Sequence, residues 1–104
     1  MEGARDAIED ARASVLVSAV SVWEAAIKSA LGKLRVPDDL PERLEEFAFE
    51  RLPVTDVHAS AVRRLPAIHT DPFDRLLVAQ ALCERATIVS ADAVFDAYAV
   101  SRVW

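Results

Sequence analysis

The sequence predicts an α/β fold with a mostly parallel, short-stranded sheet covered by helices on both faces, and three observations lead there. Apolar residues make up 53% of the 104 positions and glycine only two of them, a composition that folds around a core. The short apolar runs VLVSAV (15–20) and TIVS (87–90) read as buried strands. Between and around them, apolar residues recur at helical spacing, and short strands alternating with helices mark a parallel sheet.

The elements follow in chain order. Ala4, Ala7, Ile8 and Ala11, with Asp6, Glu9 and Asp10 between them, predict an amphipathic first helix. Val15–Val20 is a buried strand. Ser21 then opens a helix through Ala30, stopped by Gly32 at the C′ position. Leu34–Asp39 is a loop containing Pro37, and Pro41 suits the first position of a helix to about Glu50. Leu52–Thr55 is a second strand, placed at a sheet edge by Pro53, which has no N–H to give a ladder. Thr55 caps a helix carrying Val57, Ala61, Val62 and Leu65, and Pro66–Thr70 is a loop. Asp71 and Pro72 are cap and first residue of the longest helix, to about Arg85. Thr87–Ser90 is a buried strand, Ala93–Tyr98 a short helix and Val100–Trp104 a last strand. No repeat, low-complexity tract or linker interrupts the chain, so a single domain over 1–104 is expected.

The formal charge of −5 excludes a protein that holds nucleic acid mainly through its overall field, which would need a basic surplus. Any nucleic-acid role must rest on a local site or a bound cation. The lone cysteine, Cys83, is expected as a small core residue and forms no disulfide within the chain, which suits a reducing compartment. The opening MEGARDAIEDA is charged and unlike a signal peptide. No apolar run reaches the ~18 residues of a membrane span, so a cytoplasmic protein without a membrane partner is expected.

In a parallel sheet the crossover helices run antiparallel to the strands. Helix N-termini and strand C-termini then share one rim, where α/β sites form. Glu24 in the first turn after Val15–Val20, Asp74 in the first turn of the longest helix, and Asp92 directly after Thr87–Ser90 are expected to converge there. Two of them have a plainer reading. Ser21-x-x-Glu24 is also a capping box, and Asp92 can cap the Ala93–Tyr98 helix. Asp74 resists such an account, because Asp71 is already the natural cap and Asp74 lines up with Leu77, Val78 and Ala81 on an apolar stripe. The helix dipole returns up to ~1 kcal/mol, less than a carboxylate costs there unless a cation or donor meets it. Arg75 is adjacent but points about 100° away around the helix.

Three carboxylates without a lysine or histidine among them suit a hard divalent cation such as Mg2+ or Mn2+. Such an ion activates water and neutralises a phosphoryl oxygen together, which is phosphodiester hydrolysis. It would also reconcile an acidic protein with a polyanionic substrate. Other side chains point less strongly to chemistry. His58 and His69 lack cysteine partners and metal spacing and are expected to face solvent or to cap. Lys28, Lys33, Arg63 and Arg64 are solvated charges that could touch phosphates, and Trp23 and Trp104 are expected in the core. GxGxxG, P-loop and GxSxG patterns are absent.

The segments VSAVSVWEAAIKSALGKLRVPDDL, LPVT, HTDPFDRLLVAQAL, TIVSADAVFDAY and VSRVW resemble the PIN-domain family, and within it the VapC-type toxin ribonucleases of bacterial toxin–antitoxin pairs. DPFDRLLVAQAL is the most specific of them. The resemblance implies a three-layer α/β/α fold and a Mg2+-dependent endoribonuclease that is usually dimeric and restrained by a cognate antitoxin. Glu24, Asp74 and Asp92 match the family's second, third and fourth acidic positions as catalytic and metal-binding residues. Ser90 matches the small hydroxyl residue before the last acid, with Asp71 and Arg75 in supporting places. The family also opens with an apolar strand ending in aspartate, in a run like LLLDTH, and nothing here matches it. The chain begins about 20–25 residues later, judged by the usual length of an α/β unit. That departure implies an N-terminally truncated form with impaired cleavage. The alternative it raises is a catalytically dead remnant that still binds an antitoxin or dimerises. A domain phosphorylated on aspartate would need a lysine at a strand end, whereas Lys28 and Lys33 fall in or after a helix.

Overall fold

The computed structural model describes residues 2–9, 15–47, 49–68 and 71–104. Their elements are α1 (Glu2–Glu9), β1 (Leu16–Ser18), α2 (Ala19–Ala30), α3 (Leu40–Glu46), β2 (Glu50–Leu52), α4 (Asp56–Ala61), α5 (Pro72–Glu84), β3 (Ile88–Val89) and β4 (Arg102–Val103), with 3-10 turns at Val62–Arg64 and Ala93–Ala97. The class is α/β, and both strand pairings are parallel. The chain forms two compact units, Ser14–Pro53, and Met1–Ala13 with Val54–Trp104. Among the described residues no helix is long and apolar enough to cross a membrane.

In the Ser14–Pro53 unit, β1 pairs with β2, Leu16 opposite Glu50 and Ser18 opposite Leu52. The strand expected over Val15–Val20 is half that length, because Ser18 converts its end into a helix start. Ser18 is extended, and its hydroxyl accepts the Val20 N–H at 3.0 Å. A serine whose side chain satisfies a nearby backbone donor draws the chain out of the ladder and into a helix. Ser21 therefore lies inside α2 and is not its cap. The other end matches expectation. Gly32 has φ +72, and the N–H groups of Gly32 and Lys33 donate to Ser29 O at 3.0 Å and Lys28 O at 2.9 Å, the paired bonds of a Schellman closure.

Pro41 sits in the first turn of α3 as its fixed φ favours, but the helix stops at Glu46 and not near Glu50. Glu50 instead opens β2, its N–H donating to Val15 O at 3.0 Å. A strand ladder with β1 overrides the local helical pattern. The second strand is accordingly Glu50–Leu52 rather than Leu52–Thr55, and it ends where Pro53 has no N–H to offer.

In the other unit, the N-terminal helix forms over Glu2–Glu9, while Ala11, His69 and Thr70 lie outside the described residues. Gly3 lets α1 pass close to the last strand, since a Cβ there would stand 3.2 Å from Trp104 O and 3.6 Å from Val103 Cβ. Thr55 caps α4 as expected. α5 runs Pro72–Glu84 under an Asp71 cap and ends at Arg85 in the left-handed region, φ 54. Val78, Phe95 and Tyr98 form the buried centre, with Leu65, Leu77, Ile88, Val94 and Val100 packed against it. The short helix expected at Ala93–Tyr98 is a 3-10 turn. β3 is shorter than Thr87–Ser90 and only partly covered, Val89 being exposed.

Three burial expectations are corrected. Cys83 is exposed, because it belongs to the last turn of α5, where Leu82 and Glu84 also emerge from the buried stretch Val78–Ala81. Trp23 and Trp104 are 54% and 47% exposed, the first on an outward part of α2 and the second past the end of β4. His58 caps, as one alternative had it, but it does not face solvent.

His58 is 2% exposed and completes a reciprocal cap. The Thr55 N–H donates to His58 Nδ1 at 3.2 Å, and the His58 N–H donates to Thr55 Oγ1 at 3.3 Å. Because Nδ1 accepts, the ring proton belongs on Nε2, which lies 2.9 Å from Glu84 Oε2. The Gln80 amide nitrogen is 3.4 Å from the same Nδ1. One imidazole thus ties the start of α4 to two turns of α5. Replacing it by alanine removes half of the cap and takes this acceptor from the part-buried Thr55 N–H and the buried Gln80 amide, at about 1–3 kcal/mol on the scale of a lost buried hydrogen bond. His58→Ala should lower the urea-unfolding free energy by about that amount, whereas Val57→Ala, at an exposed neighbour, should stay within about 0.5 kcal/mol. Equal losses for the two would mean that the imidazole bonds contribute nothing.

Candidate active site

Asp74 stands in the first turn of α5, half-buried. The cap of this helix is Asp71, whose Oδ1 accepts the Phe73 N–H at 2.8 Å and the Asp74 N–H at 3.3 Å. Pro72 contributes no donor to the turn. Arg75 anchors the same turn from outside, donating from its terminal nitrogens to Pro66 O at 2.7 Å and Val62 O at 3.3 Å. Asp71 and Arg75 therefore support Asp74 by fixing the backbone that carries it.

Asp92 is exposed and follows β3 after two residues. Its capping alternative is realised, since Oδ1 accepts the Val94 N–H at 3.0 Å. A carboxylate offers about four acceptor positions, so one cap bond leaves it able to take a further ligand. Ser90 holds the turn from the other side, its hydroxyl accepting the Asp92 N–H at 3.1 Å. The Ser90 N–H in turn donates to Val103 O at 3.1 Å.

Glu24 belongs to the Ser14–Pro53 unit, while Asp74 and Asp92 belong to the other. With α2 starting at Ala19, Glu24 falls in the second helical turn, so it makes no capping box with Ser21. It pairs instead with Lys28 at 3.2 Å, one turn on. Within neither unit do the described residues bring three or more His, Cys, Asp or Glu side chains close enough to hold a metal ion. The donors themselves are carboxylate oxygens, which match the preference of Mg2+ and Mn2+.

An Arg102–Asp96 pair completes the neighbourhood of Asp92, and the sequence reading did not single it out. Arg102 donates from Nε to Asp96 Oδ1 and from one terminal nitrogen to Oδ2, both at 2.8 Å, and from the other to Ser90 O at 2.9 Å. Its signal was an arginine within the closing apolar run VSRVW. The Arg102 hydrogen bonds, aided by its charge, hold the Asp96 carboxyl below the usual carboxylate range. A carboxyl lowered on folding stabilises the fold above its unfolded pKa and loses that contribution as pH falls through its folded value. Asp96→Asn should thus be less stable than the parent near neutral pH, and the gap should close as the pH drops below about 4. Thermal unfolding at a series of pH values checks this, and a gap that persists in acid would assign the loss to something other than the ion pair.

Comparison with known proteins identifies the family. The family model for the PIN domain matches residues 1–101. Ribonuclease VapC16 of Mycobacterium tuberculosis is 37% identical over 60 residues, which cover 54% of this chain and 43% of that protein. The match thus spans less than half the length of this relative. With parallel-paired strands alternating with helices, and a family match running through β1 to the turn before β4, the chain belongs to the PIN domain family.

Proposed function

We propose that this chain is a metal-dependent endoribonuclease of the VapC toxin type, acting as one functional domain over 1–104 in the cytoplasm, as a homodimer restrained by a cognate antitoxin. The observation that carries this reading is the division of labour at the start of α5. Asp71 supplies the cap bonds, so the second acid of that turn, Asp74, is not needed for capping the helix. Family membership over residues 1–101 supports a nuclease role for that acid. Glu24, Asp74 and Asp92 would hold Mg2+ or Mn2+. When bound, the ion supplies an activated water and neutralises charge on the scissile phosphate of RNA. The residues around them do the positioning: Ser90 orients the Asp92 turn, and Asp71 and Arg75 fix the Asp74 turn. Lys28 offsets the charge of Glu24 at 3.2 Å.

One observation favours a second reading, in which the chain is a non-catalytic interaction protein that binds an antitoxin or a second copy. Neither unit gathers three potential ligands among its described residues. A single set of assays on mixed RNA separates the two. Under the first reading the protein cleaves RNA with Mg2+ and not with chelator. Asp74→Asn then lowers the rate by about 10²-fold or more, the scale on which loss of one electrostatic partner acts, with the cap bonds of Asp71 retained. Asp71→Ala behaves differently, losing about 1 kcal/mol of stability with its cap. Cleavage that survives chelator or Asp74→Asn would sink the metal-site reading. A folded protein that never cleaves RNA would favour the second.

A further inference from the structure

We propose that Arg102 is a positioning residue for Asp92: its guanidinium, braced on Asp96, grips the Ser90 carbonyl and thereby fixes the turn that carries the acid. The inference rests on the nuclease reading for its functional consequence, but its structural content stands on the geometry alone.

The Ser90 peptide is held at every polar atom. Its N–H donates to Val103 O at 3.1 Å, its carbonyl accepts from Arg102 at 2.9 Å, and its hydroxyl accepts the Asp92 N–H at 3.1 Å. Two of these three bonds go to consecutive residues of β4, one backbone and one side chain. Only Ala91 separates Ser90 from Asp92, so the backbone of the acid has little freedom once Ser90 is fixed. The far side of the turn is fixed by the Val94 N–H on Asp92 Oδ1.

Arg102 is suited to this by shape. Two donors of its planar fork meet both oxygens of Asp96 at 2.8 Å, and that bidentate contact sets the plane of the guanidinium. The third donor then falls on the Ser90 carbonyl. The side chain is 19% exposed, so its geometry is held by packing as well as by the pair. A lysine would keep the charge and three donors, but these radiate from a single nitrogen and cannot reproduce the planar fork that meets both oxygens of Asp96. Asp96 thus serves the acid at one remove, by orienting the group that orients the turn.

The test uses the whole chain with three variants, Arg102→Gln, Arg102→Lys and Asp96→Asn. Backbone 15N order parameters report the turn directly. In the parent, Asp92 and Val94 should read as rigid, about 0.85, and in Arg102→Gln they should fall below about 0.6. Val78–Ala81 in α5 should keep the parent values. Arg102→Lys should resemble Arg102→Gln, because the fork and not the charge is required, and Asp96→Asn should lie between them and the parent. In the RNA assay the loss of positioning should lower kcat by about 10–100-fold with little change in KM, the signature of a group acting at the reacting centre and not in ground-state binding. Unchanged order parameters at Asp92 and Val94, or a fall shared equally by α5, would overturn the proposal. If Arg102→Gln fails to fold, Asp96→Asn decides by the same readout, since it leaves the arginine in place. A parent that cleaves no RNA would count against the nuclease reading, while the order parameters would still decide the role of Arg102.

Discussion

A helical turn that is covered on every side dictates what surrounds it, and the middle of α5 imposes that constraint on its unit. Val78, Ala79, Gln80 and Ala81 are buried in succession, and four consecutive residues go all the way round a helix. Neighbours must therefore pack on each face. Phe95, Tyr98, Leu65 and Ile88 meet Val78 and Leu77 in the apolar centre. On another side the buried amide of Gln80 needs polar company, and the buried imidazole of His58 stands beside it. A polar group taken from water must be matched, so the placement of α4 follows from Gln80 as much as from any apolar contact.

The same unit shows how an acidic site can be assembled from capping chemistry. Thr55, Asp71 and Asp92 each satisfy backbone donors where a helix or 3-10 turn begins. Oxygen-bearing side chains are selected at such places for local reasons, and in a parallel α/β fold the helix starts collect on one rim. A site rich in carboxylates then needs few further changes. Asp92 holds a turn through one oxygen, and its carboxylate keeps acceptor capacity for another partner.

What the sequence revealed depended on how local each determinant was. Asp71–Pro72 marked the start of α5 to the residue, and Thr55 and Gly32 were equally legible, because caps and left-handed glycines act within a few residues. Ser18 was missed for Ser21 because both serines are chemically able to cap; the strand pairing upstream decides between them. α3 ended early for a similar reason, the ladder to β1 claiming Glu50. Solvent-facing Trp23 and Cys83 show that an apolar residue type on a helix does not specify which side is covered. Among the proposed site residues, Glu24, Asp74 and Asp92 stood out as acids near strand ends. Arg102 and Asp96 did not, since a fork that meets a carboxylate six residues away leaves no periodic trace.

The parallel pairing of β3 with β4 carries a consequence for how this segment can change over time. Parallel neighbours need a crossover of a dozen residues or more, and here the twelve residues from Ser90 to Ser101 connect them. A link of this length has little slack. Losing residues from it works against the 3-10 turn or the β4 pairing, whereas substitution leaves the length of the link untouched. Asp92, at its start, is thus tethered by chain length as well as by hydrogen bonds.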